Sequence, residues 1–216
     1  MTEHQAKEQA SAVKSPTQLL FGKWDTKAVK VTDISLAKYI DLECKKIPHT
    51  FGKHVNKALA KAKISIVERL INKIMRSGQG KRRLSGKYIR GRGSCGKKLQ
   101  TMEIVEKAFD IVEKQTNENP VQVLVRAIEK SAPREDTTRL TRGGISYTQA
   151  VDVAPIKRID ESLKNLALAA FSQSFNNKTT APEALAKEII LASKEDSASF
   201  SIKRRDEIER IAKASR

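Results

Sequence analysis

The stretch SAPREDTTRLTRGGISYTQAVDVAPIKR, residues 131–158, decides the fold that we expect for this chain. Its centre holds Gly143-Gly144, and a Gly-Gly pair supplies the positive φ angles that a two-residue hairpin turn needs. Threonine and apolar residues around the pair favour extended chain, and apolar and polar residues alternate after it. The stretch therefore predicts a two-stranded β-ribbon over about residues 134–153. The same pattern is compatible with an ordinary surface hairpin that only joins two helices.

Helical patterns lie on both sides of the ribbon, and two helix starts carry capping signals. Asn119 precedes Pro120, and Thr180 lies three residues before Glu183. Because a lone two-stranded ribbon is barely stable in water, it needs a body to stand on. We therefore predict a mainly α fold, a helical bundle of about six helices with a protruding two-stranded β-hairpin and an extended N-terminal segment. The predicted helices cover residues 64–76, 101 to about 115, 119–132, 155 to about 175, 180–193 and about 201–216, with a further short helix from Asp33 to Cys44.

The sequence divides into three parts. Residues 1–18 are polar and lack periodicity, which predicts a disordered tail. Residues 19–63 include a short apolar cluster that contains Trp24, and we expect this extension to pack on the body. Residues 64–216 form the predicted helical domain, including the ribbon and a glycine-rich, flexible basic loop over 77–98.

Charge identifies the class of partner. The chain has 42 Lys and Arg against 25 Asp and Glu, which gives a formal net charge of +17. Such an excess opposes compaction by self-repulsion, so a polyanion is the simplest explanation, and nucleic acid is the favoured one. An anionic membrane surface is the rival, but the cations are not confined to one amphipathic face. Aromatic residues are only 5%, which favours contacts to phosphate and RNA shape over base stacking on a sheet.

The cations best suited to RNA phosphates lie in four places: the stretch before the first long helix, the basic loop, the ribbon with its exit, and the last segment. The competing interpretation is a solvated charged surface, or, for the loop, a mobile insertion without function. The glycines of the loop do not form a nucleotide-binding motif. The predicted RNA-binding residues are Lys53, Lys57, Lys61, Lys63, Lys81, Arg82, Arg83, Arg90, Arg92, Lys97, Lys98, Arg134, Arg139, Lys157, Arg158, Lys203, Arg204 and Arg205.

Other function classes are disfavoured. The first residues lack the apolar core of a secretory signal, and no apolar run approaches membrane-spanning length. Cys44, His49 and His54 match no common zinc spacing, so we predict no metal and no cofactor. Cys44 and Cys95 suggest no disulfide framework, which suits a reducing cytosol. The sequence has no clustered acid–base pair or activated nucleophile, so we predict that the protein is not an enzyme.

Several long motifs resemble one family. ENPVQVLVRAIEKSAPREDTTRL from Glu118, RGG with QAVDVAPIKR from Gln149, and the final IKRRDEIERIAKASR resemble the small-subunit ribosomal protein seven family. LLFGKWDT, KVTDISLAKYI and IPHTFGKH resemble its cytosolic eukaryotic branch. The likeness covers most of the chain after about Leu19. The basic loop is roughly a dozen residues longer than the family pattern, so no family role carries over to it.

The resemblance implies a structural constituent of the small ribosomal subunit that binds the 3′ major domain of small-subunit rRNA and helps to assemble the head. It also implies that Arg142, Gly143, Gly144 and Tyr147 lie near the exit-site tRNA and the mRNA exit path. Neighbouring head proteins are further implied partners of a protein that is a monomer within the cytosolic ribosome and passes through the nucleolus. A competing hypothesis is a DNA-bending architectural protein with a β-ribbon arm. That class suits the ribbon and the charge, but the sequence shows no self-complementary dimer interface.

Overall fold

A computed structural model describes residues 19–43, 46–52, 57–78, 80–82, 88–90 and 96–216, with the backbone alone for 80–82, 88–90 and Arg142. These residues form seven helices, a short 3₁₀ turn and two separate antiparallel ribbons. The mainly helical fold with a β-hairpin is therefore confirmed. The helices are α1 Ile34–Ala37, α2 Ile66–Arg76, α3 Lys98–Thr116, α4 Pro120–Ser131, α5 Pro155–Ser174, α6 Ala181–Ser193 and α7 Phe200–Ala214; the strands are β1 Gly80–Arg82, β2 Tyr88–Arg90, β3 Glu135–Arg142 and β4 Ile145–Asp152; the 3₁₀ turn is Ala60–Lys63.

Helix α6 lies at the centre of the bundle and packs against α3, α4 and α5. Its buried alanines, Ala184, Ala186 and Ala192, let neighbouring backbones approach closely, while Leu185 and Ile189 fill the space between helices. No helix of the described residues is long and apolar enough to cross a membrane.

The capping signals in the sequence mark the helix starts correctly. The Asn119 side chain accepts a hydrogen bond from the amide of Val121 at 3.0 Å, and Pro120 occupies the first turn of α4. Thr180 and Glu183 form both bonds of a capping box at the start of α6. Each bond satisfies a backbone amide that has no partner within the helix.

The N-terminal segment packs on the bundle through Trp24. Its indole meets the ring of Phe109 edge-on at 5.7 Å and donates a hydrogen bond to Glu113 at 3.0 Å. The short helix predicted to reach Cys44 ends already at Ala37. The reason is a tertiary one: the Asp41 carbonyl accepts the amide of Ile66 at 2.9 Å, which draws the chain into an extended bridge beside α2.

The long ribbon, β3–β4, follows the predicted design. Eight residue pairs run from Glu135↔Asp152 to Arg142↔Ile145. Gly143 and Gly144 form the two-residue turn with φ of +60° and +82°, conformations that glycine adopts without steric cost.

The root of the long ribbon is attached to α7, which explains how a thin exposed ribbon has a defined direction. Glu209 accepts the amide of Arg134 at 2.9 Å, and the carbonyl of Ser215 accepts the amide of Ala150 at 3.3 Å. Arg216 forms an ion pair with Glu135.

The basic loop contains structure that the sequence interpretation missed. Strands β1 and β2 pair in antiparallel register from Gly80↔Arg90 to Arg82↔Tyr88. The description of 77–98 as a flexible loop is therefore wrong for these residues. Three-residue strands between glycines give no periodicity that a sequence pattern can reveal, because alternation needs four residues or more.

We expect Leu70→Ala in α2 or Leu124→Ala in α4 to lower the free energy of unfolding by about 2–5 kcal/mol. Both side chains are fully buried, and truncation leaves a cavity between helices. Chemical denaturation of the isolated protein measures the change. Leu99→Ala is the matched control, because Leu99 is 78% exposed at the start of α3. An unchanged transition midpoint for both core variants would contradict this assignment of the core.

Candidate nucleic-acid interface

The predicted RNA-binding cations divide into those with internal partners and those that face solvent. Arg158, whose side chain is 8% exposed, pairs with Asp33 at 3.2 Å and donates to the Ser35 hydroxyl at 2.7 Å. The hydrogen bond from Ser35, together with Arg158, holds the pKa of Asp33 below its usual value. Arg158 thus joins α5 to the start of α1.

Lys98 also has an internal partner. Its ammonium lies 2.6 Å from the buried carboxylate of Glu68, and only 17% of the lysine side chain is exposed. The same Glu68 oxygen accepts the amide and the hydroxyl of Thr50, each at 3.0 Å. Glu68 therefore joins three segments: α2, the start of α3 and the chain around Thr50.

A cluster between α2 and α5 has more cations than it can neutralise. Asp160 lies 2.9 Å from Lys61, 3.3 Å from Arg69 and 3.4 Å from Lys73. We call these four residues the Asp160 cluster. Three cations share one carboxylate, and Lys61 is 60% exposed, so surplus positive charge faces solvent.

The protonation of the Asp160 cluster follows from burial and charge together. Burial alone would raise the pKa of Asp160, but the hydrogen bond from Lys61 and the charges of Lys73 and Arg69 outweigh it and set the pKa below its usual value. Burial lowers the pKa of Lys73, and Asp160 opposes that shift.

Sequence reasoning missed Arg69 and Lys73 as parts of this site. A signal was available, because Arg69, Lys73 and Arg76 follow one another at four- and three-residue spacing and so share a face of α2.

Several other predicted cations are paired with acids at the surface. Arg205 is held more firmly, because its side chain is only 18% exposed and it bonds to Glu195 at 2.7 Å, to Asp206 and to the carbonyl of Lys130. Lys157 lies 2.7 Å from Asp136, and Arg204 lies 2.5 Å from Glu207. Exposed pairs of this kind contribute about 0–1 kcal/mol, so a phosphate can replace the carboxylate at little cost.

The remaining predicted cations are exposed, lie in the short strands β1 and β2, or fall outside the described residues. The exposed ones, beyond those in ion pairs, are Lys57, Lys63, Lys97, Arg134, Arg139 and Lys203. Lys81, Arg82 and Arg90 lie in strands β1 and β2, and Lys53, Arg83 and Arg92 lie outside the described residues.

The long ribbon carries an exposed apolar face. Directly paired residues of an antiparallel ladder share a face, and Leu140 pairs with Tyr147. Ile145 and Val151 lie on the same face, and all four side chains are exposed, Ile145 by 73% and Tyr147 by 44%. The alternation read from the sequence is therefore present, on a face whose large apolar side chains stay exposed in the described part of the chain.

Metal-binding groups can be sought only among the described residues. Among the described residues, no group of three or more His, Cys, Asp and Glu side chains is arranged to hold a metal ion. Cys44 and His54 lie outside those residues, and His49 stacks on Phe51 with ring centroids 4.2 Å apart.

Comparison with known proteins identifies the class. Residues 36–216 match the family described as "Ribosomal protein S7p/S5e". The chain is 46% identical, over 196 residues, to "Small ribosomal subunit protein uS7" of Methanothermobacter thermautotrophicus, a match that covers 91% of this chain and 98% of the archaeal one.

The chain therefore belongs to the ribosomal protein S7p/S5e family, and the resemblance drawn from the motifs is confirmed at that level. A structural role in the ribosome, rather than a catalytic one, follows from this membership. The eukaryotic branch remains a prediction, compatible with an archaeal relative.

We expect Asp160→Asn to destabilise the protein most at neutral pH, because three cations then lose their shared carboxylate. The pKa of Asp160 in the folded state lies below its unfolded value of about 3.9, so its stabilising effect is full above that pH and is lost as the pH falls through the folded pKa. The difference in unfolding free energy between wild type and variant should therefore shrink below about pH 4. Urea denaturation from pH 7 to pH 2.5 measures it.

Asp152→Asn is the control for that experiment, because Asp152 is exposed at the end of β4. A constant difference between wild type and Asp160→Asn across the whole pH range would contradict the role assigned to the Asp160 cluster.

Proposed function

We propose that the protein is a structural constituent of the small ribosomal subunit, where it binds the 3′ major domain of rRNA and helps to assemble the head. The observation that carries this proposal is the surplus of positive charge on the Asp160 cluster, beside exposed Lys57 and Lys63. A site with three cations and one carboxylate carries a net positive charge that a bound anion can neutralise. RNA phosphates supply negative charge at high density, and family membership supports rRNA as the source.

The proposed rRNA contacts fall into two groups. Exposed Lys57, Lys61, Lys63 and Lys97 bind phosphate directly near the body, as do Arg134, Arg139 and Lys203 on the ribbon and α7. Lys157 and Arg204 do so after exchanging their carboxylate partners. Arg205 keeps its internal partners and supports binding indirectly. Lys98 and Arg158 support binding indirectly, since their charges are held by Glu68 and Asp33. The cations of residues 53 and 81–92 are proposed as further contacts on charge alone.

The long ribbon is proposed to reach the exit-site tRNA and the mRNA exit path through Arg142, Gly143, Gly144 and Tyr147. The strands of eight residues are about 27 Å long, and the half nearer the turn extends beyond the contacts with the C-terminal end of the chain. The glycine turn keeps the tip thin, and attachment to α7 keeps it directed. A projection of this shape suits contact with a distant partner more than it suits tight binding.

The cellular setting completes the proposal. We place the protein in cytosolic ribosomes, as a monomer among neighbouring head proteins, after passage through the nucleolus during assembly. Sedimentation of lysate in magnesium tests this placement, because comigration with small subunits is expected and comigration with chromatin would contradict it.

Binding to a transcript of the 3′ major domain should weaken steeply with salt, because phosphate contacts release counterions. Removing one contact by Lys57→Ala or Lys63→Ala should lower the slope of log affinity against log salt by about 0.7–0.9. Titrations between 50 and about 300 mM KCl measure the slope. Lys187→Ala, an exposed lysine on α6, is the control and should leave the slope unchanged. An affinity indifferent to salt would contradict phosphate binding.

A shortened ribbon should separate assembly from ribbon function. Deleting 138–141 together with 146–149 removes four paired residues from each strand, preserves the faces and the Gly143-Gly144 turn, and keeps Ala150 on α7. Reach falls by about 14 Å. We expect the variant to enter small subunits normally, since the helices are intact, but to retain exit-site tRNA poorly and to raise frameshifting in a reporter.

The control for the shortened ribbon is Gly143→Val with Gly144→Val, which strains the turn at full strand length because β-branched residues resist positive φ. Loss of incorporation by a shortened variant that still unfolds cooperatively would show that the ribbon is an assembly contact.

A further inference from the structure

Phe51 is held in an unusual position. Its side chain is 78% exposed, and its backbone has φ of +51°, a left-handed conformation that is sparsely populated for a bulky residue. Exposure of the phenylalanine ring gains no hydrophobic burial, and the backbone conformation is strained. Both costs persist only where surrounding contacts or a function maintain them.

The contacts around Phe51 fix its ring rather than bury it. The amide of Phe51 donates to His49 Nδ1 at 2.8 Å, and the two rings lie 4.2 Å apart at 33°. The preceding residue, Thr50, is anchored through its amide and hydroxyl to the buried carboxylate of Glu68. The His49–Phe51 pair is thus a preorganised aromatic surface, with one face of Phe51 against the imidazole.

The surroundings of this pair are strongly cationic. Residues 46–63 contain five lysines and no acidic residue. Thr50 and Gly52, on either side of Phe51, line a groove of about 440 Å³ together with Lys57 and Lys61. The rest of the groove lining is apolar and consists of Leu59, Ala60, Ile64 and Ile156. An exposed aromatic ring in the segment that borders such a groove, with two lysines in the lining, is complementary to a nucleotide, in which a planar base is joined to a phosphate.

We propose that Phe51 stacks on an unpaired nucleobase of RNA, with His49 behind its ring and with Lys57 and Lys61 holding the adjoining phosphates. This inference rests on the proposed RNA binding and adds a mode of recognition that phosphate contacts lack. Sequence-tolerant stacking needs only an exposed π face, which every base offers. A protein partner would leave Lys57 and Lys61 at an interface core, where charge is disfavoured.

The test is binding of the full chain to a transcript of the 3′ major domain. Phe51→Tyr should retain wild-type affinity, because it keeps the ring. Phe51→Leu and Phe51→Gly should each bind roughly 5- to 100-fold more weakly. The slope against salt should not change for any of them, since stacking releases no counterions. Phe51→Gly should not lower the thermal midpoint, because glycine accepts positive φ.

Other outcomes overturn the inference in distinguishable ways. Wild-type affinity for Phe51→Leu and Phe51→Gly, with a steep salt slope, would leave the proposed function standing and remove stacking alone. If Phe51→Leu retained the wild-type RNA affinity and Phe51→Gly lost it, Phe51 would make a non-aromatic apolar contact. Unchanged RNA affinity with poorer incorporation into subunits would assign Phe51 to a protein partner. Absence of binding by the wild-type chain would defeat the proposed function itself.

Ultraviolet crosslinking to the same transcript gives an independent readout. A crosslink from the peptide that contains Phe51 to one unpaired base is expected in the wild type and in Phe51→Tyr, and its absence in both would contradict stacking. Ile47→Ala is the matched control, because Ile47 is another exposed apolar residue of the same segment.

Discussion

The position of the last helix and of the long ribbon depends on one buried carboxylate. Glu188 is fully buried in α6, and one of its oxygens accepts the Ser199 hydroxyl at 2.7 Å, the Ser201 amide at 2.9 Å and the Ser201 hydroxyl at 2.7 Å. A buried carboxylate without such partners would cost several kcal/mol. Here three hydrogen bonds and the positive end of the α7 dipole compensate, so α7 has one favourable position on the bundle.

Through α7, this constraint reaches the ribbon. Glu209 of α7 and Ser215, which caps the C-terminal end of α7, bond the backbone of the ribbon, and Arg216 pairs with Glu135 in the first residue pair of the ribbon. The ribbon itself has little buried surface with which to orient itself, because β4 is exposed over most of its length and β3 is exposed at 139–141, near the turn. The direction of the ribbon therefore depends on the bundle through α7, and the position of its tip depends on a carboxylate in the central helix.

Local features of the fold were predictable from the sequence, and features made by distant residues were not. The caps at Asn119 and Thr180 and the Gly143-Gly144 turn depend on residues within a few positions, so the sequence pattern contains all the necessary information. Arg158 looked like an RNA contact because its partner, Asp33, lies 125 residues away and is brought near only by packing. The membership of Lys73 in the Asp160 cluster and the exposure of Phe51 likewise depend on tertiary structure, which neither periodicity nor composition reveals.

These observations explain how a chain with a net charge of +17 folds and still binds a polyanion. Acidic residues neutralise cations where two segments of the structure meet. The pairs are Glu68 with Lys98, Asp33 with Arg158, and Asp160 with Arg69. Those pairs are largely shielded from solvent, so salt screens them weakly, whereas contacts between exposed lysines and phosphate are screened strongly. Salt therefore acts on RNA binding before it acts on the fold. The two uses of positive charge are separated by burial, and this separation lets the protein keep its shape while its RNA contacts form and break.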